Sequence, residues 1–304
     1  MTAMTPMTKA LRFRVPASTT NLGHGFDCLG IALGLANTIT VIPVGDIVSA
    51  PGAADPGLQP MAEKIRRECA RAWAVPVPGF AVSVAGDVPI ARGMGSSATI
   101  LCGVAAACRE LAGLPEDPGA ILAVAAAIEG HPDNVAAAVL GGVTVVGALG
   151  AGLSWAKIPV PADLVAVVAI PPFEVKTSEA RKILPQELSR ADAIRSLQRT
   201  GLIVAALAQS RSAELRGLFT DAWHERYRAP LNHGFTEARA AADAAGAVGT
   251  IISGSGSTVL AFTPRNLAEA VRSAVADSYT ARGTTAEVRV VEFDNRGLTR
   301  IDLP

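Results

Sequence analysis

The most informative stretch of this 304-residue chain is ARGMGSSATILCGVAAACRELAGLP, from Ala91 to Pro115. It follows the alternating segment FAVSVAGDVP, which is typical of a strand, and its Gly-Ser loop opens a long helix that ends at Gly113-Leu-Pro115. Glycines let the backbone approach a ligand closely, and the free N–H groups at a helix start favour an anion such as phosphate. The stretch therefore predicts a strand, an anion-binding loop and a helix.

The loop does not match either of the two common nucleotide-binding signatures. No lysine follows the second glycine, as a P-loop requires, and the third glycine and acidic partner of a Rossmann fingerprint are missing. The simpler alternative is a helix cap formed by Ser96 or Ser97. Taken alone, the loop leaves both interpretations open.

The flanking sequence alternates between strand and helix patterns. LRFRVPAS and IALGLANTITVIPV predict strands, and MAEKIRRECARAW predicts an amphipathic helix over residues 61–73. Further helices are expected over 118–128 and from His131-Pro-Asp-Asn134 to Gly141-Gly142, followed by the strand VTVVGAL.

A second set of elements begins near Pro159. LVAVVAIPP, GTIISG, STVLAF and AEVRVVEF predict strands, and helices are expected around 178–212, 213–226, 234–245 and 266–281. We therefore predict two domains, 1–157 and 158–304. Because strands and helices are mixed in both, the predicted fold class is α+β.

Composition excludes several classes of protein. With 27 basic against 27 acidic side chains, the chain lacks the positive charge typical of a nucleic-acid-binding protein. Four scattered cysteines and four histidines form no zinc-ligand spacing and no disulfide framework. The N-terminus has no apolar signal-peptide core, so the cytoplasm is the expected compartment.

One uncharged segment, Asn134 to Ala156, is long enough to span a bilayer. Glycines at 141, 142, 150 and 152 interrupt it, however. We interpret it as a buried helix end, a turn and a core strand, and we expect no membrane partner.

Six blocks of the sequence resemble the GHMP small-molecule kinases and, among these, the homoserine kinases. In chain order they are VPASTTNLGHGFDCLGIAL (15–33), DVPIARGMGSSAT (87–99), EGHPDNVAAAVLGG (129–142), TSEARKILP (177–185), HERYRAPL (224–231) and ISGSGSTVLAF (252–262). The resemblance implies a two-domain α+β architecture, with a ribosomal-S5-like N-terminal domain and a ferredoxin-like C-terminal domain. It also implies ATP-dependent phosphorylation of the L-homoserine side-chain hydroxyl, on the route to threonine, by a homodimer.

The resemblance assigns ATP and Mg²⁺ to the Gly-Ser loop and one acidic residue. The transition state of phosphoryl transfer spreads charge over phosphoryl oxygens, which N–H donors and a magnesium ion stabilise. Ser97 and Glu129 would hold Mg²⁺, which prefers oxygen ligands. The alternatives are a helix cap for Ser97 and a surface carboxylate for Glu129. The expected ATP-binding residues are Arg92, Gly93, Met94, Gly95, Ser96, Ser97 and Ala98.

The resemblance assigns Asn21 and Asp27 to recognition of the amino-acid head of the substrate. It assigns Arg181 and Arg228 to the substrate carboxylate and to the region where the phosphoryl group is transferred. A guanidinium binds a carboxylate with two parallel hydrogen bonds, which lysine cannot do. The alternatives are backbone capping by Asn21 and Asp27 and ordinary surface ion pairs for the arginines. Thr177 is a lesser candidate from the same block as Arg181.

His131, Asp133 and Asn134 form the remaining candidate group. We expect His131 to bind substrate, Asn134 to orient it, and Asp133 to orient it with a general-base role left open. Related GHMP kinases often use an aspartate there as the base, whereas homoserine kinases are expected to work without one, because a loose transition state needs little nucleophile activation. The expected catalytic residues are Asn134, Asp133 and Arg181. The alternative is helix capping by the His-Pro-Asp-Asn run.

Two positions depart from the family pattern. The family usually has proline or a small residue at His24, and we expect this imidazole to face solvent. Gly254-Ser-Gly-Ser-Thr258 replaces the more usual Gly-Ala-Gly-Pro-Ser/Thr, and the loss of proline is expected to loosen the loop.

Two other functions remain open at this point. One is a GHMP kinase for another small alcohol, such as L-threonine or an isoprenoid precursor. The other is a non-catalytic GHMP-fold protein that binds a metabolite, which the presence of both Ser97 and Glu129 argues against.

Overall fold

A computed structural model describes residues 10–43, 55–150 and 152–302 of the chain. Val44, at the end of the predicted second strand, and parts of both predicted domain ranges lie outside these residues. Within them, two antiparallel sheets and their covering helices confirm the predicted α+β class.

The first sheet has the order β10-β1-β2-β4-β5, and β3 also pairs with β2. Its centre is the long β1–β2 hairpin, which turns at Gly23 and His24. The pairing shifts register between Pro16 and Ser18 and again between Thr20 and Leu22. Such irregularities change the direction of side chains at one end of a hairpin. The strands are β1 (Leu11–Leu22), β2 (Gly25–Pro43), β3 (Phe80–Gly86), β4 (Val143–Leu149), β5 (Gly152–Ile158) and β10 (Thr299–Arg300).

Four helices accompany the first sheet, and the helix after the Gly-Ser loop is the most buried of them. It is rich in alanine and carries no charge before Arg109, so it can pack closely on several sides. Gly103 shows how close this packing is, because a Cβ atom there would lie 2.4 Å from the side chain of Ile39. The four helices are α1 (Gln59–Trp73), α2 (Ser96–Leu111), α3 (Pro118–Glu129) and α4 (Asp133–Leu140).

The second sheet has the order β7-β8-β6-β9. Its continuous apolar strand LVAVVAI is buried along its whole length, because both faces of the sheet are covered. One face packs against two helices through Phe235 and Val271, and the other joins apolar residues of the first sheet in a shared core. The strands are β6 (Leu164–Ile170), β7 (Gly249–Ile252), β8 (Val259–Pro264) and β9 (Glu287–Val291).

The helices of the second half are shorter than predicted. They are α5 (Thr177–Lys182), α6 (Arg190–Ala208), α7 (Glu225–Arg228), α8 (Phe235–Ala244) and α9 (Ala268–Ala281). The predicted helix over 178–212 is interrupted at residues 183–189. Pro185 lies in this interruption, and Ser189 caps α6 by accepting a hydrogen bond from Asp192 N.

The predicted helix over 213–226 is wrong. The structure has only a 3₁₀ turn, Ser212–Leu215, before α7. Gly217 has a φ of +78°, which a continuing helix does not allow. The Asp221 carboxylate then accepts N–H bonds from His224 and Glu225 and starts α7.

The uncharged segment 134–156 forms most of α4, then β4 and the exposed edge strand β5, which we did not predict separately. Across the described ranges, every helix is too short or too polar to cross a membrane. The two sheets separate between β5 and β6, whereas β10 pairs with β1. The domain boundary at 157/158 stays a prediction.

Candidate active site

A pocket of about 170 Å³ lies at the N-terminus of α2, where loops from both halves of the chain meet. All of the predicted site residues line this pocket except Asp27 and Ala98. Ala98 is buried in the first turn of α2, and Asp27 contacts the pocket-lining Arg181. The fold thus collects residues from six separate sequence blocks at one place.

The Gly-Ser loop is tightly enclosed at its glycines. Gly93 and Gly95 have φ values of +74° and +67°, in the left-handed region that favours glycine. A Cβ atom at Gly93 would lie 2.1 Å from the carbonyl oxygen of Ser253. Gly95 is the N-cap of α2 and, being glycine, has no side chain with which to cap it, so the first-turn N–H groups can bind an anionic ligand.

Ser97 and Glu129 bring two oxygen ligands together beside this loop. Ser97 Oγ donates to Glu129 Oε2 at 2.9 Å, joining the start of α2 to the last residue of α3. Within the described residues, no group of three or more acidic, histidine or cysteine side chains is arranged so that it could hold a metal ion. The pair therefore suits a cation such as Mg²⁺ that keeps several waters or phosphate oxygens as ligands.

The tip of the β1–β2 hairpin carries Asn21 and Asp27 in unusual backbone conformations. Their φ values are 61° and 52°, a region that asparagine and aspartate tolerate better than most residues. Asn21 Nδ2 donates to Gly254 O at 3.1 Å, and its Oδ1 accepts from Asp27 N at 2.9 Å. The amide thereby holds the hairpin tip against the 253–258 loop.

Two arginines contact the ring of Phe26, with the guanidinium carbon of Arg181 5.5 Å and that of Arg228 5.2 Å from the ring centroid. Arg181 donates two hydrogen bonds to the Asp27 carboxylate, at 2.9 and 2.6 Å, and this raises the pKa of Arg181. Arg228 is 1% exposed and donates to Ala180 O and Gly254 O. Burial, with the nearby Arg181 charge, lowers the pKa of Arg228 to about 10. Arg228 therefore does not form the ordinary surface ion pair that the sequence left open.

Asp133 links its neighbours on α4. Its Oδ1 accepts from His131 Nδ1 at 3.1 Å and from Asn134 N at 2.8 Å, and the first of these bonds raises the pKa of His131. Asn134 is held in turn by Ser18, which donates to its Oδ1, and by Thr20, which accepts from its Nδ2. The group is thus rigid and connects α4 to β1.

The 253–258 loop is fastened by serine hydroxyls. Ser253 Oγ lies 2.7 Å from Gly93 O and 2.7 Å from Thr19 Oγ1, and Ser257 Oγ donates to Phe173 O at 2.5 Å. Ser255 Oγ is 3.2 Å from Thr177 Oγ1. These bonds tie the loop to its neighbours, and the loosening expected from the absent proline stays a prediction.

The expectation that His24 faces solvent is wrong. The imidazole is 5% exposed, with Nδ1 3.0 Å from Ser196 Oγ and Nε2 2.8 Å from Thr220 O. Helix α6 and the residues around 220 cover the hairpin tip, a long-range contact that the local sequence does not reveal. Burial lowers the pKa of His24.

The free energy of unfolding is expected to decrease as the pH is lowered below 6.5, the ordinary pKa of histidine. The reason is that two buried imidazoles are neutral in the folded chain. Burial lowers the pKa of His24 and that of His224, the latter to about 4. The unfolded chain therefore binds more protons between pH 6.5 and about 4. His224 contributes a slope of up to about 1.4 kcal/mol per pH unit to the free energy of unfolding in that window, and His24 adds to the slope below pH 6.5.

Urea unfolding at several pH values would measure this slope. His224→Gln is expected to flatten it, whereas the matched control His233→Gln, at an exposed position, is expected to leave it unchanged. A wild-type slope that His224→Gln leaves intact would show that other groups cause the acid sensitivity.

Several residues around the pocket escaped the sequence analysis. Ser18 and Thr20 hold Asn134, and Ser255 contacts Thr177. Lys176 also lines the pocket. All four residues lie within or beside the six blocks, and this proximity in sequence was the only signal that could have identified them. Their contacts depend on the packing of the two halves and cannot be inferred from it.

Comparisons with known proteins point to one family. The family model for the GHMP kinases N terminal domain matches residues 58–142, and the GHMP kinases C terminal model matches 203–281. The homoserine kinase of Nostoc sp. is 39% identical over 293 residues, covering 94% of this chain and 97% of the relative. That of Desulfitobacterium hafniense is 35% identical over 294 residues, covering 94% and 98%. The crystal structure of homoserine kinase from Cytophaga hutchinsonii superposes with a TM-score of 0.85 at 25% identity, covering 99% of this chain and 100% of that one.

Proposed function

Because this chain belongs to the GHMP kinase family, in which it matches homoserine kinases along nearly its whole length, we propose that it phosphorylates L-homoserine with ATP. The products are O-phospho-L-homoserine, an intermediate of threonine biosynthesis, and ADP. One observation supports the proposal most directly: the same pocket is lined by an anion-binding loop and by Arg181, Arg228 and His131, which suit an amino acid.

The Gly-Ser loop suits the phosphates of ATP. The left-handed glycines, the close approach of the loop to Ser253 and the uncapped start of α2 present backbone N–H groups rather than side chains. We assign the residues from Arg92 to Ala98 to nucleotide binding on this basis. Ala98 would contribute through its backbone, since its side chain is buried.

Mg²⁺ fits the oxygen pair of Ser97 and Glu129, which we propose as its protein ligands. The hydroxyl and the carboxylate are hard oxygen donors, and together they leave most of the coordination sphere for water and phosphate oxygens. When bound, the ion would offset the negative charge of the phosphates.

The Arg181–Asp27 ion pair suits a zwitterion such as homoserine. An amino-acid head placed beside the pair brings its carboxylate to a guanidinium and its ammonium to a carboxylate, so each charge gains a partner. Arg228 adds positive charge nearby, and His131 and Asn21 line the same pocket. We assign Thr177 to substrate binding as well, since it lies beside Ser255 at the pocket wall.

In the transfer step, the homoserine hydroxyl oxygen forms a bond to the γ-phosphorus as the bond from that phosphorus to the β–γ bridging oxygen breaks. The electron pair of the broken bond stays on ADP, and the hydroxyl proton passes to a phosphoryl oxygen. Asn134, held by Ser18 and Thr20, would orient the hydroxyl. We assign Asp133 to fixing His131 and Asn134, because its Oδ1 accepts a hydrogen bond from each. A loose transition state needs little activation of the substrate hydroxyl, so the transfer does not require Asp133 to remove the proton.

Asp133→Asn tests this assignment. The amide retains an acceptor for the two bonds, so kcat is expected to fall by no more than about tenfold, with an unchanged pH profile. A rate loss of about a thousandfold, together with loss of a pKa from the kcat profile, would instead identify Asp133 as the general base. Single-turnover rates at pH 6 to 9 would separate these results.

The first test of the function is ADP release with Mg-ATP and L-homoserine, L-threonine, L-serine, mevalonate or galactose. We expect kcat/KM for homoserine to exceed every other value by about a hundredfold or more. A larger value for L-threonine would move the assignment to another amino-acid alcohol. Binding of ATP with no turnover of any substrate would indicate a non-catalytic protein of the same fold.

The resemblance to homoserine kinases also supports a homodimer located in the cytoplasm, and we propose both. Light scattering on the purified chain would give a mass near twice 31.1 kDa if the first proposal is right. A monomeric mass at assay concentration would exclude it.

A further inference from the structure

The cationic side chains that line the pocket differ in how available they are to bind an anionic ligand. Four basic side chains line it: Arg92, Lys176, Arg181 and Arg228. Arg92 forms an ion pair with Glu174 at 3.1 Å, and Arg181 is held by Asp27 through two hydrogen bonds. Arg228 is buried and donates to two backbone carbonyls. Three of the four cations therefore already have short contacts.

Lys176 differs from these three. Its ammonium lies 3.9 Å from Glu179 Oε1, at the limit for an ion pair, and its side chain is 73% exposed. An exposed pair of this kind contributes little free energy and is easily exchanged for another partner. The flexible four-carbon stem and three donors of lysine let the ammonium move to an anion in the pocket.

The backbone that carries Lys176 is fixed, in contrast to its side chain. On one side, Glu174 is tied to Arg92 of the Gly-Ser loop, and the side chain of Val175 is buried. On the other side, Thr177 contacts Ser255. The lysine is thus held at the wall of the pocket that contains the proposed phosphate-binding loop.

We propose that Lys176 is a further catalytic residue, whose ammonium contacts the terminal phosphoryl group of ATP during transfer. This inference rests on the proposed function. As the γ-phosphorus exchanges its bond to the bridging oxygen for one to the substrate hydroxyl, negative charge is shared among the phosphoryl oxygens, and a lysine beside them stabilises it. Arg181 remains with the amino-acid head.

The test compares Lys176→Gln and Lys176→Arg with the matched control Lys182→Gln, an exposed lysine of α5 outside the pocket lining. We expect Lys176→Gln to lower kcat about a hundredfold and Lys176→Arg to recover it to within about tenfold of wild type. KM for homoserine is expected to stay within about twofold in both, because the amino-acid head is bound elsewhere. The control is expected to match wild type.

Calorimetric titration supplies a measurement that does not depend on turnover. Lys176→Gln is expected to weaken Mg-ATP binding about tenfold and leave Mg-ADP binding unchanged, because only ATP carries the contacted group. Equal affinities of wild type and Lys176→Gln for Mg-ATP, or equal losses for both nucleotides, would overturn the proposal. Wild-type chain that binds ATP but turns over no homoserine would overturn the proposed function instead, and the nucleotide comparison would still decide the role of Lys176.

Discussion

Replacing Glu129 with glutamine is expected to lower kcat by about a hundredfold to a thousandfold without unfolding the chain. Glutamine keeps the shape and can still accept the hydrogen bond from Ser97 Oγ, but it removes the negative charge proposed to hold Mg²⁺. The Mg²⁺ concentration that gives half-maximal rate is expected to rise in the same variant. Steady-state kinetics over a magnesium series would measure both effects.

The control for this prediction is Glu116→Gln, at an exposed position outside the pocket lining. It removes the same charge from the chain and is expected to leave kcat and the magnesium dependence unchanged. A Glu129→Gln variant with wild-type kinetics would mean that Glu129 is an ordinary surface carboxylate. Thermal unfolding of both variants would establish that the fold is retained.

Replacing Arg181 with methionine is expected to raise KM for homoserine about a hundredfold, which corresponds to about 2.8 kcal/mol of lost binding free energy. Methionine fills much of the same space but leaves the Asp27 carboxylate without its two hydrogen bonds. The variant therefore loses a partner for the substrate carboxylate and gains an uncompensated negative charge beside it. Lysine at this position is expected to restore only part of the affinity, because it cannot form two parallel bonds.

A double-mutant cycle with Asp27→Asn would separate the two causes. If the unpaired carboxylate contributes to the loss, Asp27→Asn is expected to cost less in the Arg181→Met background than in wild type. Arg190→Met, which removes an exposed arginine at the start of α6, serves as the control. An unchanged KM in Arg181→Met would place the amino-acid head elsewhere in the pocket.

The candidate active site lies where loops from the two halves of the chain meet, which explains why its lining residues come from both. The Gly-Ser loop belongs to the first half, and Ser253 of the second half fastens it through Gly93 O. Arg181 and Arg228 come from the second half and lie over Phe26 in the first. Each half therefore contributes groups that the other half positions, and neither half contains the complete pocket.

The six sequence blocks were sufficient to predict the family, the α+β class and the reaction, and the comparisons confirm all three. The family and the reaction rest on the resemblance of these blocks to the GHMP kinases, whereas the α+β class follows from local signals. A Gly-Ser loop before a helix restricts the backbone wherever it occurs, and alternation or helical periodicity depends only on neighbouring residues. The prediction of a helix over 213–226 was wrong because it depended on periodicity alone. Gly217 has a positive φ that interrupts a helix, and the Asp221 carboxylate caps the start of a new one.

Only the tertiary structure decided which side chains meet. It buried His24 under α6, paired Arg181 with Asp27 across 154 positions of sequence, and left Lys176 as the pocket cation with the weakest contact. Residue types and spacing predicted candidates for the site, but contacts of this range depend on how two sheets pack. The six blocks thus predict the reaction through their resemblance to a family, whereas the packing of the two halves determines which charges are paired and which remain free to bind a ligand.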